Sequence, residues 1–223
     1  MSSSRLAKLS SDSSVKRRDA FEGLLLLAGI VVLMWFLEAI NSIDHDGLDS
    51  AAGIVPREPG HVWAIFTAPF LHVSWTHLID NTIPFVFMGV IIALWGAGRL
   101  ALVTLIVVVV GGLGTWLIAP AGTDTVGASG IVFGYATYLF ARGVFNRSVL
   151  EILIGIVVAV VWGGALLASV QPHHGVSWQG HVSGAIGGVI AAWLLARPRT
   201  RAGSGSGPDS AADRDPLSRA LAS

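Results

Sequence analysis

Ser129 stands in Gly127-Ala128-Ser129-Gly130, and His181 follows 52 residues later in Gly180-His181-Val182-Ser183-Gly184. A serine hydroxyl is a weak nucleophile until a base takes its proton, and an imidazole can be that base. A further polar cluster, His77-Leu78-Ile79-Asp80-Asn81, puts His77 and Asn81 four residues apart. On a helix they share a face, so both can aim donors at one developing oxyanion. All these groups edge long apolar runs, where polar side chains are costly and mark function by default. No carboxylate is spaced to complete a triad, so the residues read as a Ser129–His181 dyad for acyl transfer to water, that is, peptide hydrolysis within a membrane. Taken singly, each has a plainer reading. Ser129 suits a helix N-cap, His181 an interfacial packing position, and Asn81 an interhelical hydrogen bond.

The rest of the chain describes the medium. Of its 223 residues 53% are hydrophobic and 13% charged, against about 25% charged in soluble domains. The formal net charge is zero, so nothing points to a nucleic-acid partner. Cysteine is absent, which excludes a thiolate nucleophile and a disulfide framework. His173 and His174 do not form a zinc motif; they read as exposed residues of a loop over the site.

Apolar runs near 22–40, 76–95, 100–119, 129–141, 148–170 and 179–196 read as six spans, since a crossing helix needs roughly 20 apolar residues. The first is too long for a signal peptide and is read as retained. With six spans, thirteen of the fourteen basic residues fall on one side and only Arg57 lies opposite. The positive-inside bias then places both termini in the cytoplasm. Residues 1–20 read as a mobile cytoplasmic tail, 21–198 as the six-helix domain, and 199–223 as a disordered tail. Residues 41–75 are too long for a turn and look like a loop that dips back to the membrane surface. Glu38 reads as interfacial, and Pro84 as a kink below Asn81.

Depth brings the clusters together. Ser129 lies 13 residues before Arg142, roughly 20 Å of helix. With Arg142 at the inner face of a core about 30 Å thick, Ser129 sits roughly 10 Å below the outer face. His181 precedes Arg197 by 16 residues, which puts it within about 5 Å of the same depth. Gly130 and Gly134 in one span, and Gly184 and Gly188 in another, make small faces for close helix approach. Phe133, one turn after Ser129, is placed to lie against the imidazole and aim it.

At these residues the chain resembles the rhomboid family of intramembrane serine proteases. The resemblance rests on Gly127-Ala128-Ser129-Gly130, the His77/Asn81 pair, His181 followed by Gly184 and Gly188, and His72 ahead of His77. It covers roughly residues 22–196. It implies an all-α membrane protein with a six-transmembrane-helix bundle, a Ser129–His181 dyad, and His77 and Asn81 near the oxyanion. His72 would then be a structural hydrogen-bonder. It further implies transmembrane protein substrates cleaved near the outer face, without cofactor. A bacterial plasma membrane is the expected setting. Two departures stand out: the family's usual Trp-Arg pair in the first loop appears as Trp63-Ala64, and an aromatic position often tyrosine is Phe133. A catalytically silent relative would need a lost serine or histidine. A proton-coupled transporter using His77, Asp80 and His181 would show paired repeats, which the sequence lacks.

Overall fold

The computed structural model describes residues 3–45, 47–171 and 176–196. His173, His174 and the tail at 199–223 lie outside them. The described chain is helical, with one isolated bridge between Ile54 and Thr125. Helices α1 (Ser3–Ile43), α2 (Gly47–Ala52), α3 (Trp75–Ala93), α4 (Ala97–Ile118), α5 (Ser129–Asn146), α6 (Val149–Val170) and α7 (Trp178–Leu194) follow in order. Two 3-10 segments, Pro59–Phe66 and Ala68–Phe70, lie between α2 and α3.

Local signals set the boundaries. Ser74, Ser148 and Ser177 cap α3, α6 and α7, each accepting from the amide three residues on. Gly96, at φ 102°, turns the chain between α3 and α4, a conformation that costs glycine little. Helix α1 begins at Ser3, so residues 3–20, read from the sequence as part of a mobile tail, are helical and lead directly into the first apolar run. Pro84 lies inside α3, which continues through it to Ala93.

Helix α5 is the centre. It packs on α7, α6, α3 and α4, and α7 packs on α5 and α4. Residues 131–136 of α5 are buried without interruption. Phe85 stacks on Tyr135 at 5.4 Å in the core, and the Tyr135 hydroxyl meets Thr104 Oγ1 at 2.6 Å. Among the described residues, four helices are long and apolar enough to cross a membrane: α1 from Ser13, α3, α4 and α6. Helices α5 and α7 fall outside that group. They are the shielded pair, and their small and polar residues serve packing and the site rather than contact with lipid. The outer helices present large apolar side chains, Val160 and Leu167 of α6 among them, as a membrane protein must.

Two charged groups differ from their reading as interfacial. Arg142 is only 4% exposed. Its guanidinium pairs with Glu151 at 3.2 Å, donates to Tyr138 Oη at 2.9 Å and lies 3.8 Å from the Trp95 ring centroid. Asn146 Nδ2 donates to the same carboxylate at 2.7 Å. The arginine is thus an internal clamp between α5 and α6, not a marker of the membrane edge. Glu38 is likewise buried, because the 41–75 segment folds back over the end of α1; Asn41 Nδ2, one turn further, donates to the His72 carbonyl at 3.4 Å.

Candidate active site

The glycines come first, because they set how close two helices can lie. A methyl group on Gly184 would strike the Gly130 carbonyl, and one on Gly188 would strike the Gly134 carbonyl and Thr137 Oγ1. Helices α5 and α7 therefore touch backbone to backbone, as small-residue faces allow. Thr137 Oγ1 donates to the Ala185 carbonyl at 2.7 Å and ties the two helices directly.

At the N-terminal end of α5 in this contact, Ser129 Oγ lies 2.9 Å from His181 Nε2. The other ring nitrogen, Nδ1, lies 2.8 Å from the Ser169 carbonyl oxygen. A carbonyl can only accept, so Nδ1 carries the proton. Nε2 is then the free base, and the serine hydroxyl donates to it. The Phe133 ring stacks on the imidazole from the side. Three contacts, at two ring edges and one face, hold His181, which is 5% exposed.

The segment leading into Ser129 hangs from the long first loop. The Gly127 amide donates to the Ala68 carbonyl at 2.9 Å, and the Ala128 amide donates to His72 Nε2 at 3.3 Å. His72 is fully buried, and burial, with His77 alongside, pushes its imidazole down to about 3. It is therefore a neutral acceptor at physiological pH. The next amide, that of Ser129, is the first residue of α5 and has no acceptor within the helix. It stands where the positive helix end meets the serine hydroxyl.

His77 and Asn81 reach the same place from α3. A Cβ on Gly127 would lie 2.7 Å from His77 Cε1 and 3.7 Å from Asn81 Nδ2. Gly127 has φ 118°, so any other residue would be strained there as well as crowded. Asn81 is 6% exposed, and its Nδ2 is buried without a hydrogen-bond partner. A cavity of about 40 Å³ adjoins Ser129 on the other side, with Thr115 and Ser177 among its lining residues. Asp80, beside Asn81 in sequence, is exposed.

The structure thus gathers Ser129, His181, Phe133, Gly130, Gly184 and Gly188 at one helix contact, with His77, Asn81, Gly127 and His72 around the approach to Ser129. Two participants escaped the sequence reading. The Ser169 carbonyl is a backbone group, and no residue type announces it. Arg57 caps α4: its amide donates to the Trp116 carbonyl, and Nη1 donates to the Leu117 and Ala119 carbonyls at 3.1 and 2.8 Å. That cap anchors the first loop although residue 64 is alanine rather than arginine.

The chain is similar to known proteins over most of its length. The family model for the rhomboid domain matches residues 59–198. An uncharacterized protein of Mycobacterium tuberculosis is 42% identical over 77% of this chain and 75% of its own length. The rhomboid protease GluP of Bacillus subtilis is 27% identical over 79% of this chain, which matches 35% of that protein. The chloroplastic rhomboid-like protein 11 of Arabidopsis thaliana is 32% identical over 59% of this chain and 51% of its own. With most of its length matched by the family and its serine and histidine in contact, the chain belongs to the rhomboid family of intramembrane serine proteases.

Proposed function

We propose that this protein is an endopeptidase that cleaves membrane-anchored proteins in or near their transmembrane segments, using a Ser129–His181 dyad. One observation carries the reading: Ser129 Oγ is 2.9 Å from an imidazole nitrogen whose partner nitrogen is already committed as a donor. His181 Nε2 accepts the serine proton as Oγ attacks the peptide carbonyl carbon. The carbonyl oxygen becomes an oxyanion and takes donors from the Ser129 amide, Asn81 Nδ2 and His77. His181 then gives its proton to the leaving amine, and an acyl group stays on Ser129. Water, deprotonated by His181, attacks the acyl carbon and frees the enzyme.

All six long helices cross the bilayer in this reading, α5 and α7 inside the ring formed by the others. Both termini face the cytoplasm of a bacterial plasma membrane, and the site lies toward the outer face. A substrate arrives sideways from lipid near the outer end of α6, because Ser129 lies on α5, which α3, α4, α6 and α7 enclose. Its helix unwinds locally there, since helical peptide bonds are shielded. The outer half of α6 is the less packed: its buried residues, Glu151, Gly155 and Val158, all precede residue 159.

A serine-directed fluorophosphonate tests the chemistry on purified protein. Labelling of the native chain, lost in Ser129→Ala and in His181→Ala with melting temperature kept, is the expected result. Residual cleavage of a transmembrane substrate by Ser129→Ala would overturn the assignment.

A further inference from the structure

The imidazole of a serine hydrolase needs a partner at its second nitrogen to hold one tautomer and to steady the imidazolium that forms. No carboxylate does this here. Instead Nδ1 meets the carbonyl of Ser169, the penultimate residue of α6. That carbonyl belongs to the last turn of the helix, where four carbonyls lack intrahelical donors. The Ser169 side chain is engaged elsewhere, its hydroxyl donating to the Ala165 carbonyl at 2.8 Å. The end of a helix also carries partial negative charge, which favours a cation placed against it.

We infer that the C-terminal end of α6, through the Ser169 carbonyl, takes the place of the missing carboxylate and makes Ser169 a positioning residue for the base. This deepens the protease reading and rests on it. Oriented by this bond, His181 presents Nε2 unprotonated to Ser129, and when Nε2 takes the serine proton, the same carbonyl faces the charged ring. The bond comes from the sparsely packed end of α6, whereas the clamp of Arg142 on Glu151 holds its other end.

A backbone group calls for a backbone change. Replacing Val170 by its α-hydroxy analogue turns the 169–170 amide into an ester and weakens the Ser169 carbonyl as an acceptor. The same change at Leu167 weakens a carbonyl that has no tie to His181 and controls for the lost helix bond. Two readouts apply: fluorophosphonate labelling rate, and the 15N shifts of the His181 ring, identified by their loss in His181→Ala. The ester at 170 should slow labelling about tenfold, equivalent to about 1.4 kcal/mol, and mix the two ring tautomers. The ester at 167 should leave both readouts near those of the native chain. An unchanged tautomer in the 170 ester, or equal effects at 167 and 170, would overturn the inference while leaving the dyad intact. Absence of labelling in the native chain would overturn the protease reading beneath it. The two failures are distinct, because the ring tautomer is read without turnover.

Discussion

The Phe133 ring lies 4.4 Å from the His181 imidazole, centroid to centroid, with 11° between the planes. The ring comes from α5, one turn after Ser129, so one helix supplies both the serine and a wall for the imidazole it meets. Aromatic pairs contribute about 0.5–1.5 kcal/mol beyond burial, which in a barrier amounts to as much as about tenfold in rate. Phe133→Tyr keeps the stacking face and should retain kcat. Phe133→Ala should lower kcat by up to about tenfold per folded molecule. Activity and melting temperature measured on the same samples decide the matter: a loss that merely follows the folded fraction would make the ring ordinary packing.

Asn81 offers a buried amide nitrogen with no partner beside Gly127. Loss of one oxyanion donor costs about 10²–10³ in kcat. With His77 and the Ser129 amide still present, Asn81→Ala should lose activity at or below that range, with KM little changed. Native kcat in the variant would assign Asn81 to structure.

His72 accepts the Ala128 amide just before Ser129. Removing the acceptor leaves a buried amide unsatisfied, at about 1–3 kcal/mol, so His72→Ala should lower the melting temperature and displace Ser129. An unfolded histidine titrates near 6.5, whereas native His72 stays neutral to about 3. Between those values the unfolded chain binds a proton that the native chain refuses. The contribution is therefore complete above about pH 6.5 and drains away as pH falls toward 3. His72→Gln keeps an acceptor but removes the titration. Its stability should fall less steeply over that acid range, as followed by thermal melts in detergent.

Gly184 meets the backbone of Gly130 with no room for a methyl group. Gly184→Ala should push α7 from α5 and lengthen the Ser129–His181 contact. Labelling should fall well beyond the loss in folded protein, and Gly98→Ala, where a Cβ meets nothing within 4 Å, should change neither. Equal behaviour of the two variants would show that the close contact does not govern the site.

Arg142 and Glu151 form a buried pair between α5 and α6. Breaking such a pair from one side typically costs about 3–5 kcal/mol, whereas replacing both partners costs much less. Arg142→Met and Glu151→Leu should each depress the melting temperature strongly, and the double variant should recover part of the loss. Additive losses in that cycle would mean the two groups act independently.

The sequence by itself determined which groups could react and roughly where along the helices they sit. Ser129, His181, His77 and Asn81 were visible because polar residues at the edges of apolar runs are few and expensive. The paired glycines and Phe133 followed from helical periodicity, since residues three or four apart share a face. The long apolar runs marked the helices, although α5 and α7 are less apolar or shorter than the others for a reason that lies in packing.

What only the tertiary structure decided depends on contacts between distant segments. Arg142 read as a membrane-edge charge because sequence cannot show that Glu151, Tyr138 and Trp95 close around it. Glu38 read as interfacial because nothing local reveals the first loop folding over it. Arg57 as a cap on α4, and His72 as the acceptor for Ala128, require the first loop to be docked against the loop before Ser129. The Ser169 carbonyl was the least accessible of all. Every residue carries a carbonyl, so its meeting with Nδ1 is written not in a side chain but in where α6 ends relative to α7.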